Sequence, residues 1–109
     1  MIEFINKHHE AIRVLCQTYG VRRIDLFGSA ATGAFDPATS DLDFVATFAG
    51  TDEPDYSERF LDFADALEML FVRPVDLVID RSIRNPHFRR AVDATRQPIY
   101  EDRGAPAAA

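Results

Sequence analysis

The residues best suited to chemistry in this 109-residue chain are aspartates and a glycine–serine pair at ordered spacing. Gly28-Ser29 closes the β-type run Arg23-Ile24-Asp25-Leu26-Phe27, and eleven residues separate it from Asp41-Leu42-Asp43. A strand that ends in Gly-Ser and runs into a helical turn can present backbone N–H groups at a helix N-terminus. That arrangement suits phosphate oxygens, and glycine lets a ligand approach the backbone closely. Ser29 adds a hydroxyl donor. Asp41 and Asp43, one residue apart, project to the same face if they lie on a strand. Two like charges held that close repel, and a divalent cation relieves the repulsion. Mg²⁺ in particular prefers one or two carboxylates together with substrate phosphates and water. The same Asp-x-Asp pattern also arises from two aspartates that merely face solvent, and Asp25 in the preceding run is a reminder that a strand aspartate need not be functional.

Asp76 shifts the balance. It interrupts the apolar run Val75-Asp76-Leu77-Val78-Ile79, where a carboxylate is costly unless exposed or partnered. If this run lies beside the Asp41–Asp43 strand, three carboxylates gather near the Gly-Ser turn. Three carboxylates can hold two metal ions, which would orient a triphosphate and stabilise attacking and leaving oxygens. Asp80, further along, reads as a strand-end residue.

The elements that must position these groups can be read from periodicity and punctuation. Phe4, Ile5, His8, Ala11, Ile12, Leu15 and Tyr19 recur at helical spacing, with Gly20 as the stop. Residues 30 to 40 read as a short helical turn and a loop, and 41 to 48 as the second strand. Asp55-Tyr56-Ser57-Glu58 has the form of a helix-start box, and Tyr56, Phe60, Phe63, Leu67 and Leu70 mark one face of the helix it opens. Residues 74 to 80 give the third strand. Asn85-Pro86 is a cap and first-turn proline for a last helix over Pro86 to Ala94, with Phe88, Ala91 and Val92 on its apolar face. Pro98-Ile99-Tyr100 adds a short edge strand. Residues 1–102 thus form one α/β (α+β) domain, a small mixed sheet packed with helices, and 103–109 a disordered tail. No internal repeat or linker is present.

Composition sets the outer bounds. With 47% hydrophobic and 28% charged residues, the chain is globular rather than disordered. No apolar run approaches the roughly 20 residues of a membrane span, and Met1 to Glu10 lacks the pattern of a signal peptide. Cys16, the single cysteine, cannot form an internal disulfide, so a cytoplasmic location is expected. It reads as a small buried hydrophobe. A formal charge of −6 argues against stable nucleic-acid binding, which takes clustered Lys and Arg. Arg81, Arg84, Arg89 and Arg90 do cluster late in the chain, either as a solvated helix face or as a contact for phosphates or a partner. His8-His9 point in different directions on a helix and do not make a metal site.

Leu26-Phe27-Gly28-Ser29, then Gly33, then Ser40-Asp41-Leu42-Asp43-Phe44-Val45, resembles the signature of the polymerase-β nucleotidyltransferase superfamily, and most of all its minimal, MNT-type antitoxin members. Pro74-Val75-Asp76-Leu77-Val78 resembles that family's third-aspartate strand, and residues 85 to 100 its C-terminal helix and short tail. The resemblance covers nearly the whole chain and implies the polymerase-β-like nucleotidyltransferase fold. It further implies transfer of AMP from ATP to a hydroxyl, with two Mg²⁺ ions on Asp41, Asp43 and Asp76 as the metal-binding and catalytic residues. Gly28, Ser29 and Ser40 would bind the nucleotide. The implied acceptor is a tyrosine of a HEPN-type toxin, an RNase that the chain would neutralise as an antitoxin. Two departures stand out. Relatives often carry arginines where this chain has Ala30, Ala31 and Thr32, and the loop before Asp41 is about one residue longer than the commonest form. The missing positive charge motivates an alternative, a nucleotidyltransferase fold kept as a partner-binding module. A nucleotidyltransferase for a small molecule or an RNA end is a third reading.

Overall fold

A computed structural model of the chain describes residues 2–33 and 41–102. Two short helices open it, α1 (Ile2–Lys7) and α2 (His9–Tyr19), followed by strand β1 (Val21–Phe27) and one turn of helix, α3 (Ser29–Thr32). Strand β2 (Leu42–Phe48), helix α4 (Tyr56–Phe71) and strand β3 (Val75–Ile79) come next. A single 3₁₀ turn (Asp80–Ser82), helix α5 (Pro86–Thr95) and strand β4 (Gln97–Glu101) complete it. The strands form one mixed sheet in the order β3-β2-β1-β4, with β2 parallel to β3 and β1 antiparallel to both β2 and β4. The mixed α/β architecture expected from the sequence is the one observed. The expected tail, 103–109, lies outside the described residues.

Alternation along the strands gives the sheet two unlike faces. Ile24 and Leu26 of β1, with Leu42, Phe44, Ala46 and Phe48 of β2, are buried against Ile12 and Cys16 of α2 and Phe63, Leu67 and Phe71 of α4. The aromatic stripe of α4 is core, since Tyr56, Phe60 and Phe63 all stack on Phe48. On the opposite face Phe27, Val45 and Val92 make a second, smaller apolar layer with Val78 and Ile83. Helix α5 covers this face through Val92.

Three local expectations are corrected by the packing. The first helix is broken at His8 rather than continuous from 4 to 19. The His8 backbone N–H donates to the carbonyl of Ile5, and the Phe4 carbonyl is taken instead by the His8 ring through Nδ1–H. That imidazole also packs on Phe4 and Phe71. Asp55 precedes α4 but does not cap it with its side chain. Its carboxylate accepts from Arg59 Nε, while the two other Arg59 nitrogens donate to the carbonyls of Tyr19 and Gly50. Arg59 therefore ties the start of α4 to the turns that end α2 and β2. In α5, capped by Asn85 through the N–H groups of His87 and Phe88 as expected, only Val92 of the expected apolar face is buried. Ala91 is exposed and Phe88 remains 38% exposed, with its edge against Phe27.

Among the described residues, Asp25 is the one fully buried charge, at 0% exposure. Arg23 grips its carboxylate with two bonds of 2.9 Å, and Arg96 Nε adds one of 2.6 Å. The other nitrogens of Arg96 reach Asp80 at 2.9 Å and Asp93 at 3.1 Å. Arg89 completes the network, donating to the Asp80 carboxylate at 2.6 Å and to its backbone carbonyl. Burial pushes the Asp80 carboxyl up, but hydrogen bonds from Arg96 and Arg89 outweigh it and hold the group below the usual carboxylate range. Of the four clustered arginines, Arg89 is thus engaged internally. Arg81, Arg84 and Arg90 are exposed, and Arg90 contacts the ring of His87.

Removing one partner from a buried ion pair is more damaging than never having had the pair, because the remaining charge stays desolvated. Arg96→Leu, with Arg23 still in place, is expected to lower unfolding free energy by about 2–4 kcal/mol in a urea titration. The contribution of Asp80 has a definite sign with pH. Its folded-state value lies below the unfolded one, so its stabilisation is complete above the usual carboxylate range and lost as pH falls through the folded value. An acid titration of wild-type chain should show this loss, and Arg96→Leu should flatten it.

Candidate active site

The end of β1 and the starts of β2 and β3 meet at one edge of the sheet, on the face that α5 covers. Lateral register sets what meets there: Phe27 of β1 pairs with Asp43 of β2, and Asp43 pairs with Asp76 of β3. Neighbouring strands are about 4.8 Å apart, so Asp43 and Asp76 are adjacent carboxylates on the same face. Asp41 is exposed and immediately precedes β2, which begins at Leu42 with an N–H bond to the carbonyl of Pro74. The third strand likewise starts one residue later than expected, at Val75, whose N–H is taken by the Glu68 carboxylate of α4.

Asp76 is exposed, whereas Asp43 is partly buried. Burial pushes the Asp43 carboxyl above the usual range, and the neighbouring charges of Asp76 and Asp41 push it further. As they stand, no three acidic, histidine or cysteine side chains among the described residues form a closed cation cage. Asp43 is the member the three aspartates share: Asp41 lies two residues before it along the chain, and Asp76 lies beside it on β3.

Gly28 presses directly on the Asp43 carboxylate. Its backbone has φ of 72° and ψ of −149°, a region open essentially to glycine alone. A Cβ placed on it would stand 2.6 Å from Asp43 Oδ2. The absence of a side chain is therefore what brings the β1–α3 turn against the aspartates. The Gly28 N–H donates to Thr95 Oγ1 at 3.1 Å. Ser29 opens α3 and is partly exposed. Ser40 falls outside the described residues. Ala30 is buried in the main core, so at that position a long cationic side chain would have no room. Ala31 and Thr32, partly buried and exposed, are the positions where one could fit.

Two contributors were not singled out as site residues from the sequence. Thr95, at the end of α5, accepts from Gly28 and donates its hydroxyl hydrogen to the carbonyl of Ala91 at 2.9 Å. Gln97, at the start of β4, donates to the carbonyl of Ala31 at 2.8 Å. A signal for Thr95 did exist: Phe88, Val92 and Thr95 fall at the i, i+4, i+7 spacing of a sheet-facing stripe, so a polar residue there needs a polar partner. Cys16 is no nucleophile, since it is buried and its thiol is pushed up to about 12 by burial.

Known proteins resemble the chain in both sequence and fold. The family model for a nucleotidyltransferase domain matches residues 8–98. A Methanocaldococcus jannaschii protein, provisionally named a protein adenylyltransferase, is 33% identical over 91 residues, covering 84% of this chain and 86% of its own. A solved structure provisionally described as a minimal nucleotidyltransferase is 31% identical, with a TM-score of 0.71 over 88% of this chain and 93% of that one. The fold is shared as well, at 20% identity and a TM-score of 0.61, with a complex of tri-AMPylated Shewanella oneidensis HEPN toxin and MNT antitoxin, over 89% of this chain and 72% of that one. No described helix is long and apolar enough to cross a membrane. With its polymerase-β-like fold and its three ordered aspartates, the chain belongs to the nucleotidyltransferase domain family, as one of the minimal nucleotidyltransferases.

Proposed function

We propose that this chain transfers AMP from ATP to a tyrosine hydroxyl of a HEPN-type toxin, and so acts in the cytoplasm as the toxin's antitoxin. The observation that carries this reading is the convergence of Asp41 and Asp76 on Asp43, with the Gly28 turn packed on the Asp43 carboxylate. The provisional adenylyltransferase name of the M. jannaschii relative supports a protein acceptor, and the Shewanella complex supports a HEPN-type one.

The donor set fits Mg²⁺. All three ligands are hard carboxylate oxygens, and Asp43 is held above its usual range by burial and by its two acidic neighbours, a strain that a divalent cation would relieve. Asp41, Asp43 and Asp76 would hold two ions, which when bound supply neutralisation of triphosphate charge and polarisation of the α-phosphorus. Ser29 and Ser40 would hold the phosphates beside the Gly28 turn. In the reaction the acceptor oxygen forms a bond to the α-phosphorus. The bond from that phosphorus to the oxygen bridging it to the β-phosphate breaks, and pyrophosphate carries away the electron pair. Asp76, exposed beside Asp43, takes the acceptor's proton. The chain's own contribution is positioning and preorganised charge rather than a covalent intermediate.

Ala30, Ala31 and Thr32, in place of the arginines frequent in relatives, favour one competing reading: a nucleotidyltransferase fold that neutralises its partner by contact alone. A single experiment separates the two. The chain is incubated with α-labelled ATP, Mg²⁺ and the protein encoded beside it, and label is sought on that protein by gel and mass spectrometry. Label is expected on a tyrosine with wild-type chain and is lost with Asp41→Ala/Asp43→Ala. No label, together with neutralisation that survives the double substitution, would sink AMP transfer in favour of the binding module.

Loss of activity in such variants should not reflect unfolding. The folded-state value of Asp43 is raised, so the ionised group works against folding once pH exceeds that value, and this penalty disappears as pH falls below the usual carboxylate range. Asp43→Asn is therefore expected to melt above wild type at pH 8 in metal-free buffer, with the gap closing in acid. Gly28→Ala is expected to do the reverse. Its backbone strain costs about 1–3 kcal/mol, and the added methyl group displaces Asp43, so both melting temperature and AMP transfer should fall.

A further inference from the structure

The turn that abuts Asp43 is fastened from the α5–β4 junction by two residues, Thr95 and Gln97, on either side of an anchored Arg96. Thr95 holds the N–H of Gly28, Arg96 is locked to Asp25, Asp80 and Asp93, and Gln97 holds the carbonyl of Ala31. The Thr95 hydroxyl has its direction fixed. Its hydrogen goes to the helix carbonyls, that of Ala91 at 2.9 Å and that of Val92 at 3.5 Å, and either leaves an oxygen lone pair for Gly28. The Gly28 peptide is thus aligned by a side chain 67 positions away in sequence.

Clearance at this point is small. A Cβ on Gly28 would be 2.6 Å from the Asp43 carboxylate oxygen and 3.5 Å from its carbon, so the turn and the aspartate are already in contact. Without a partner for its N–H, Gly28 would have wide backbone freedom. A peptide rotation that moved the turn by a few tenths of an ångström would alter its distance from Asp43 and hence the shape of the cleft between them.

We propose that Thr95 is a positioning residue for nucleotide binding: through its hydrogen bond to the Gly28 N–H it fixes the β1–α3 turn against Asp43, so that the triphosphate meets a preformed cleft. This rests on the nucleotide site proposed above and adds to it a residue that touches neither nucleotide nor metal.

The test uses three variants of the whole chain. Thr95→Val keeps the shape and removes the acceptor, Thr95→Ser restores the hydroxyl, and Thr18→Val removes an equivalent hydroxyl-to-carbonyl bond on α2, where Thr18 Oγ1 donates to Val14. Hydrogen exchange of the Gly28 amide, followed by NMR, reads the contact itself without any ligand. Titration with ATP and Mg²⁺ in a calorimeter reads its consequence. Thr95→Val should speed exchange at Gly28 and weaken ATP binding about threefold to tenfold, the range expected for one hydrogen bond. Thr95→Ser should stay within about twofold of wild type, and Thr18→Val should match wild type in both measurements. Thr95→Ala carries the same expectation as valine if the valine variant fails to fold. Wild type that binds ATP and a folded Thr95→Val or Thr95→Ala that binds it equally well would overturn the assignment of Thr95 alone. Wild type that binds no ATP would overturn the nucleotide site itself, and with it the role given to Thr95.

Discussion

Asp25 is a carboxylate with no access to water in the middle of a sheet. Desolvating it would be prohibitive without cations on its oxygens, and that requirement organises much of the molecule. Arg23, two residues earlier on the same strand and thus on the same face, supplies one guanidinium. The other, Arg96, has to come from the far end of the chain. To reach Asp25 it must lay α5 across the sheet, which also brings it to Asp80 beyond β3 and anchors the last helix to the outer strands. Arg96 keeps its proton tightly. Burial opposes the charge, and hydrogen bonds to Asp80 and Asp25 outweigh that opposition.

The candidate site depends on that anchorage. Thr95 and Gln97 flank Arg96, so once Arg96 is placed its neighbours fall on Gly28 and Ala31. A charge network at one end of the face and a reactive edge at the other are thereby connected by a short covalent path. The apolar layer of Phe27, Val45, Val78 and Val92 lies between them. The carboxylates of the ion network are neutralised by arginines, whereas Asp43 stands beside the like charges of Asp41 and Asp76. The first group holds the fold, and the second is the one that the proposed function assigns to a cation.

Ionised Asp43 works against folding. Asp43 sits above its usual titration range because it is partly buried beside two like charges. A sequence selected only for stability would replace it, whereas under the proposed function the same unrelieved negative charge is what would attract a divalent cation.

Much of this was legible in the residues alone. The alternation in β2, apolar at 42, 44, 46 and 48 with Asp43 opposite, determined both the strand and the face its carboxylate takes, because side-chain direction in a strand has a period of two. The glycine stops, the Asn85-Pro86 helix start and the break of an apolar run by Asp76 located the elements to within one or two residues. Those are properties of local covalent geometry, which sequence carries directly. Tertiary structure alone decided that Asp43 and Asp76 share a register, that His8 interrupts the first helix, that Asp55 serves Arg59 rather than its own helix, and that Asp25 is a buried anchor rather than an ordinary strand aspartate. It also decided that the N–H of Gly28 turns inward to Thr95. Each of these is a choice among polar partners distant in the chain, and a hydrogen-bonding group in a sequence declares that it needs a partner without declaring which one.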